Sequence, residues 1–265
     1  MLKTIAVVIL MTVLLEGLAQ ADPVLPDYTA ATFDAQSSVS DNTYFPLVPG
    51  ALAIFEGQVE EGTERIETLV TPDTKTILGI QNRVVRDSAY LNGALAEVAL
   101  DWFAQDTDGT VWYFGEFVEN YTYDDEGNLV SIDNVGSWEA GVNGALPGVV
   151  MFASPQVGDE YFQENAPGVA LDFAEVTSLD GSVDTAFGSF DNVLVTGEGN
   201  LFDDPELTIV ENKLYAPQVG LVLIQELNDE GEVEFEVQRI PEPATLSLLV
   251  LGGLALVRRR EVPPG

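Results

Sequence analysis

The chain of 265 residues contains no cysteine and no histidine, and only 10 of its side chains are basic. Without cysteine or histidine it can form no disulfide, no thiolate nucleophile and no Ser-His-Asp triad. A structural zinc site is excluded too, because such sites use thiolate or imidazole ligands. The 44 acidic side chains give a formal net charge of −34, which repels nucleic acids and anionic lipid headgroups. We therefore expect no nucleic-acid partner, no cofactor and no built metal site.

The composition nevertheless predicts a folded protein. Hydrophobic residues make up 46% of the chain and the mean hydropathy is +0.14, which is too apolar for a disordered acidic tail. The acidity belongs to the middle of the chain, since residues 22–240 alone carry a formal charge of about −35.

The N-terminus has the layout of a secretory signal peptide. Lys3 is followed by an apolar run over residues 5–15 and then by the small residues Ala19 and Ala21, which flank Gln20. The alternative is a transmembrane helix, but the run covers only half of the roughly 20 residues that a span needs. We predict that signal peptidase removes residues 1–21 and that the rest is exported.

The C-terminus combines three features over residues 241–265. Pro241-Glu242-Pro243 precedes an apolar segment, residues 244–257, and Arg258-Arg259-Arg260 follows at once. A helix over the apolar segment reaches about 21 Å against roughly 30 Å of hydrocarbon, so it is a marginal permanent anchor. The arginines favour the cytoplasmic side of the inner membrane, which places the preceding domain outside.

These three features together resemble the PEP-CTERM sorting signal of Gram-negative bacteria, although the tail of residues 261–265 is slightly long for it. The resemblance implies that an exosortase recognises the chain and cleaves near Pro241–Pro243, after transient inner-membrane anchoring through residues 244–257. Delivery to the cell surface or the extracellular matrix would follow. A permanently anchored single-span protein is the alternative.

Between the terminal signals, residues 22–43 are small and polar and predict a flexible leader, and residues 44–240 predict one secreted all-β domain. Strand patterns at residues 94–105 and 110–118 flank an Asp-Thr-Asp-Gly turn, and residues 219–227 and 232–239 flank Asn-Asp-Glu-Gly. Further turn signals lie at residues 91–93, 125–128 and 179–182. We predict an antiparallel meander of about 11–14 strands that forms a curved sheet, half-barrel or barrel, plus the C-terminal hydrophobic helix.

The domain also resembles a family of uncharacterised secreted bacterial proteins, to which no activity is assigned. The similar stretches are residues 44–50, 101–106, 111–116, 136–141 and 215–222. The last of these, Tyr-Ala-Pro-Gln-Val-Gly-Leu-Val, looks like the closing strand of curved β-sheet envelope proteins, which supports the fold only by analogy.

Aromatic residues concentrate on the hairpin of residues 94–118. Trp102, Trp112 and Tyr113, with Trp138 further along, would suit a cleft that stacks a sugar or holds an apolar ligand. The same residues equally suit a large packed core, which is the interpretation we favour.

Two acidic features suggest chemistry and also have plainer interpretations. Glu97, Asp101, Glu116 and Glu139 lie near the aromatic residues, and paired carboxyl groups can hydrolyse glycosides, but so acidic a chain produces such neighbours by chance. Glu97 and Asp101 could simply line a solvated strand face. Residues 106–109 resemble the start of a calcium loop without its remaining ligands, so an ordinary hairpin turn is favoured.

The sequence thus predicts an exported, non-enzymatic protein of the cell surface or extracellular matrix, with extracellular polysaccharide as a candidate partner. The alternative is a β-sheet binding module for a glycan or apolar ligand, and a hydrolase ranks third.

Overall fold

The structure is a computed structural model that describes residues 23–24, 26–201 and 208–242. The regular structure of these residues is entirely β, and its fifteen strands form a single antiparallel sheet. Within the same residues, no helix is long and apolar enough to cross a membrane. The predicted signal peptide, the predicted hydrophobic helix, Pro243 and Arg258–Arg260 lie outside the described residues.

The strands vary from two to sixteen residues in length. In chain order they are Leu52–Val59 (β1), Gly62–Ile77 (β2), Ile80–Leu91 (β3), Ala94–Gln105 (β4), Val111–Tyr123 (β5), Leu129–Asp133 (β6), Trp138–Glu139 (β7), Leu146–Met151 (β8), Glu160–Phe162 (β9), Glu164–Asn165 (β10), Asp172–Asp184 (β11), Ser189–Asn200 (β12), Glu211–Ala216 (β13), Gly220–Leu227 (β14) and Val233–Ile240 (β15).

The sheet curves into a nearly closed barrel, which is one of the predicted shapes. Its strand order is β10-β8-β5-β4-β3-β2-β1-β15-β14-β13-β12-β11-β9, with β6 and β7 attached to β5. The first and last long strands therefore pair, Ile54 opposite Ile240. The two sheet ends approach each other, since β8 contacts β9 and β10 contacts β11. The strand number exceeds the prediction because β7, β9 and β10 are too short to show a period-2 pattern.

Both predicted long hairpins are confirmed. The turn between β4 and β5 has Gly109 at φ +99°, and the turn between β14 and β15 has Gly231 at φ +76°. Both glycines adopt the left-handed backbone that closes such turns. The first five residues of β5 are all buried, as a continuous apolar run predicts for a central strand.

The hairpin turn predicted at residues 179–182 is wrong. The segment lies inside β11, where the register against β12 shifts between Ser178, Gly181 and Ser182. A glycine in a strand fits such a bulge, because a Cβ on Gly181 would crowd the Val193 carbonyl oxygen at 3.1 Å. The chain reverses instead at residues 185–188, where the backbone N–H of Thr185 donates to the Gly188 carbonyl at 2.9 Å.

The leader predicted as flexible over residues 22–43 differs from the structure, in which residues 26–43 pack against one end of the barrel. The backbone N–H of Gln105 donates to the Ser37 carbonyl at 2.7 Å, and that of Thr107 donates to the Thr32 carbonyl at 2.8 Å. The Arg83 guanidinium donates to the Ser38 carbonyl at 2.9 Å. Apolar side chains add to these bonds, because Phe33 packs edge-on against the rings of Trp112 and Phe114. The segment shows no period because it forms no regular strand and is held by scattered polar and apolar contacts.

Candidate ligand-binding site

The barrel wall lines a partly open cavity of about 480 Å³. Strands from most of the wall contribute to it, and the loop before β1 covers part of it. Alternate residues of each strand face this space, as the pleat requires. Most of the lining is apolar or aromatic, and includes Phe45, Leu47, Leu52, Phe55, Ile66, Val70, Val85, Phe103, Val150, Leu221 and Ile224.

Four carboxyl groups interrupt this apolar lining: Asp87, Asp101, Glu164 and Glu211. Neighbouring strands bring the first two together, because Asp87 of β3 pairs with Ala99 of β4, two residues before Asp101. This diagonal arrangement places side chains of one face within reach of each other. Asp101 also pairs with Glu116 of β5.

The hydrogen bonds of these carboxyl groups are incomplete. Asp101 is only 7% exposed, and its Oδ1 accepts a hydrogen bond from the Tyr113 hydroxyl at 2.6 Å. Its Oδ2 accepts none from the described residues. The Oδ1 of Asp87 is buried and also lacks a partner. Glu164 is better satisfied, since its Oε2 accepts from the Trp138 indole N–H at 3.0 Å.

Burial raises the pKa of three of these carboxyl groups and of the neighbouring Glu116. It raises the pKa of Asp87 to about 6 and that of Glu116 to about 8. Burial, with Asp87 and Glu116 nearby, also raises the pKa of Asp101 well above its usual range. The pKa of Glu164 is raised well above its ordinary value by burial and by the charge of Glu116. The cavity therefore concentrates carboxyl groups that are poorly solvated and poorly compensated.

The cavity-lining ammonium of Lys213 is already neutralised. Its Nζ lies 2.8 Å from Glu198 Oε2 and 3.0 Å from Glu211 Oε1. Burial alone would lower the pKa of Lys213, but the charges of Glu198 and Glu211 outweigh it and raise this pKa well above the ordinary value. Lys213 is thus a fixed structural cation in the wall.

Arg239 of β15 is the other basic residue of the lining. Its guanidinium lies 4.3 Å from the centroid of the Phe187 ring and donates to the Val219 carbonyl at 3.1 Å. Its buried Nε has no hydrogen-bond partner. These contacts hold the guanidinium at one side of the cavity, on β15, whereas Asp87 and Asp101 lie on β3 and β4.

The four aromatic residues proposed for a cleft are all buried in one hydrophobic core cluster, as the favoured core interpretation predicts, and Trp138 packs edge-on against Tyr113 with ring centroids 5.5 Å apart. Only Tyr113 lines the cavity. Trp112 is buried and donates its indole N–H to Asp106 Oδ2 at 2.9 Å. Trp102 and Trp138 border a groove on the outside of β3, β4 and β5. There the Lys75 ammonium lies 3.2 Å from the centroid of Trp102 and pairs with Glu139 at 2.7 Å, so it occupies the face on which a sugar would stack.

The acidic residues singled out in the sequence lie in different places. Asp101 and Glu116 face each other, and the prediction that Asp101 lies on a solvated face is wrong, since Asp101, Ala99 and Phe103 are all buried. Glu139 belongs to the Lys75 pair instead. Asp106 serves the turn, because its Oδ1 accepts from the backbone N–H groups of Asp108 and Thr110. In the described part of the chain, no group of three or more acidic side chains is arranged to hold a metal ion.

Asp87, Glu164 and Lys213 were missed by the sequence reasoning. A signal exists for Asp87 and Lys213, because each alternates with apolar residues that turn out to face inward: Asp87 follows Val85, and Lys213 precedes Tyr215. Glu164 lies on a two-residue strand that no periodicity marks.

No protein-family model matches the chain, and no curated protein matches it. Two solved structures are similar to it. One is a protein of Bacteroides fragilis described as exported and as having a YmcC-like fold, with 13% identity over 75% of this chain and 97% of that chain. The other is described as a lipoprotein of Parabacteroides distasonis, with 12% identity over 76% and 98%. Both have a TM-score of 0.39, and at that value the likeness carries no argument about function.

Proposed function

We propose that the chain is an exported, non-enzymatic binding protein whose barrel holds a small amphipathic ligand. The observation that carries this proposal is the internal cavity of about 480 Å³, which combines apolar walls with a few convergent polar groups. Natural ligand sites have this size and this mixture. The proposed site is this cavity rather than a cleft formed by Trp102, Trp112, Tyr113 and Trp138. Of those four residues, Tyr113 alone lines the cavity.

Binding in the cavity is tested with the neutral fluorescent reporter N-phenyl-1-naphthylamine, which brightens in apolar surroundings. The variant Ile66→Trp fills part of the lining and should weaken reporter binding by about tenfold or more. Ile132→Trp is the matched control, because Ile132 is exposed on β6 and should leave binding unchanged. Equal reporter binding by the wild type and Ile66→Trp, with both folded, would overturn the proposal.

The carboxyl groups support a role without catalysis. Glycoside hydrolysis requires one ionised carboxylate beside one protonated acid. Burial raises the pKa of both Asp101 and Glu116, that of Glu116 to about 8, so this pair lacks the opposite shifts that separate an acid from a carboxylate in such enzymes. Release of a chromophore from nitrophenyl glycosides, abolished by Glu116→Gln, would contradict this part of the proposal.

Sorting is a second part of the proposal and is supported by the three C-terminal features of residues 241–265. After signal peptidase acts, the apolar segment would hold the chain in the inner membrane, with Arg258–Arg260 inside. An exosortase would then release the barrel to the cell surface or to the polysaccharide matrix. Fractionation of cells with and without the exosortase tests this, and unchanged size and location in its absence would count against it.

A further inference from the structure

We infer that the cavity ligand is an organic cation, an amine attached to an apolar body, with its ammonium group beside Asp87 and Asp101. This inference rests on the proposed function and adds the chemical class of the ligand. The ammonium group would lie where β3 and β4 face the cavity, and its apolar body would extend along the surrounding aliphatic and aromatic wall.

The charge balance of the lining favours a cation. Four carboxyl groups line the cavity against two basic side chains, and one of these, Lys213, is already paired with Glu198 and Glu211. The remaining base, Arg239, is stacked on Phe187. An incoming ammonium group would therefore meet Asp87, Asp101 and Glu164, and the cation that lies near Asp87, Lys213, is already paired with two other carboxylates.

The unused hydrogen-bond acceptors of the site indicate a ligand that carries hydrogen-bond donors. Asp87 retains a buried Oδ1 without a partner, and Asp101, which is more than nine-tenths buried, accepts a side-chain hydrogen bond from Tyr113 alone among the described residues. Buried carboxyl oxygens without donors are costly, and an ammonium group supplies up to three N–H donors with a compensating charge. A hydroxyl supplies one donor without the charge, and a carboxylate ligand supplies none.

Two aromatic rings lie beside these carboxyl groups. Phe103 and Tyr113 stack with their centroids 4.7 Å apart, and both line the cavity next to Asp101. The Tyr113 hydroxyl donates to Asp101 Oδ1, which orients the carboxyl group. Aromatic faces attract ammonium groups, and more strongly where water is excluded.

The experiment measures displacement of N-phenyl-1-naphthylamine by decylamine, decanol and decanoate, which share one apolar body and differ in the charge of the head. The buffer contains about 0.3 M salt to screen the acidic exterior. Decylamine should displace the reporter at a concentration at least about tenfold lower than decanol, and decanoate should be the weakest. In the double variant Asp87→Asn/Asp101→Asn, decylamine should lose this advantage over decanol.

The matched control is Asp125→Asn/Glu230→Gln, which removes the same formal charge from two exposed turn residues and should keep the preference for decylamine. Equal displacement by all three compounds, or strongest displacement by decanoate, would overturn the cation assignment and leave the proposed function standing. Loss of the preference in the control as well would also overturn it, since the preference would then be due to surface charge. Failure of the reporter to bind the wild type would overturn the proposed function itself.

Discussion

At the scale of single residues, Asp106 shows how one buried carboxyl group can fix a turn and a core side chain together. It is 8% exposed and accepts hydrogen bonds from the backbone N–H groups of Asp108 and Thr110 and from the indole of Trp112. Asp106→Ala leaves these donors without their acceptor. We expect the free energy of unfolding to fall by about 3 kcal/mol, measured by urea denaturation.

Asp108→Ala is the control in the same turn, because the Asp108 side chain is exposed. It should change the free energy of unfolding by less than about 0.5 kcal/mol. Similar losses in the two variants would show that the turn sequence, rather than the Asp106 acceptor, determines stability. The sequence predicted the turn correctly, but the bond to Trp112 depends on which face of β5 is inward, and the apolar run of that strand does not show it.

At the scale of elements, Gly115 allows β5 to change partners from β8 to β7. Its φ is +126°, and a Cβ there would collide with the backbone of Trp138 and Glu139. Gly115→Ala should therefore lower the free energy of unfolding by about 3 kcal/mol in urea denaturation, because it adds steric overlap to backbone strain.

Gly127→Ala separates these two effects. Gly127 also has a positive φ, +80°, but nothing lies within 4 Å of its Cβ position. It should cost only about 1 kcal/mol. Equal costs at the two positions would mean that the close approach of β7 contributes nothing.

The strands also show how much of the fold could be predicted from the sequence. Period-2 alternation and Gly-containing turns identified β4, β5, β14 and β15, because a long regular hairpin repeats its signal over many residues. The bulge at Gly181 shows the same Asp-Gly signal as a turn, and only pairing with β12 distinguishes the two. The cavity could be predicted only in part. Asp101 and Tyr113 lie on neighbouring strands of one predicted hairpin, whereas Glu164 and Lys213 lie on β10 and β13 and come to the same cavity only because the sheet closes into a barrel.

At the scale of the whole molecule, buried acids should make stability fall as pH rises. A carboxyl group whose pKa is raised by folding binds more protons in the folded state, so its stabilisation is complete at low pH and is lost as pH rises through the folded pKa. With unfolded-state pKa values of about 4, the folded pKa values of about 6 for Asp87 and about 8 for Glu116 place this loss between about pH 4 and pH 8. The charged and titratable groups around Asp87 and Asp101 are Glu97, Tyr113, Glu116, Glu164, Asp172 and Lys213.

We therefore expect the Tm in differential scanning calorimetry to be higher at pH 5.5 than at pH 8 by about 3 °C or more. Asp101→Asn should raise the Tm at pH 8 and reduce the pH dependence, because the amide is neutral and its oxygen can still accept from Tyr113. Exterior repulsion acts in the same direction but is unaffected by this substitution. A Tm that rises from pH 5.5 to pH 8 would contradict the expectation.

The pairing of β1 with β15 has a consequence for the order of folding on the proposed export route. The wall cannot close until Ile240 has arrived opposite Ile54, so on that route nearly the whole domain would cross the membrane before its cavity exists. Such long-range pairing makes folding slow. Because Pro241 follows β15 directly, with no linker, a membrane-held C-terminus would keep the last wall strand beside the bilayer. Release of the chain and closure of the barrel would then compete in time.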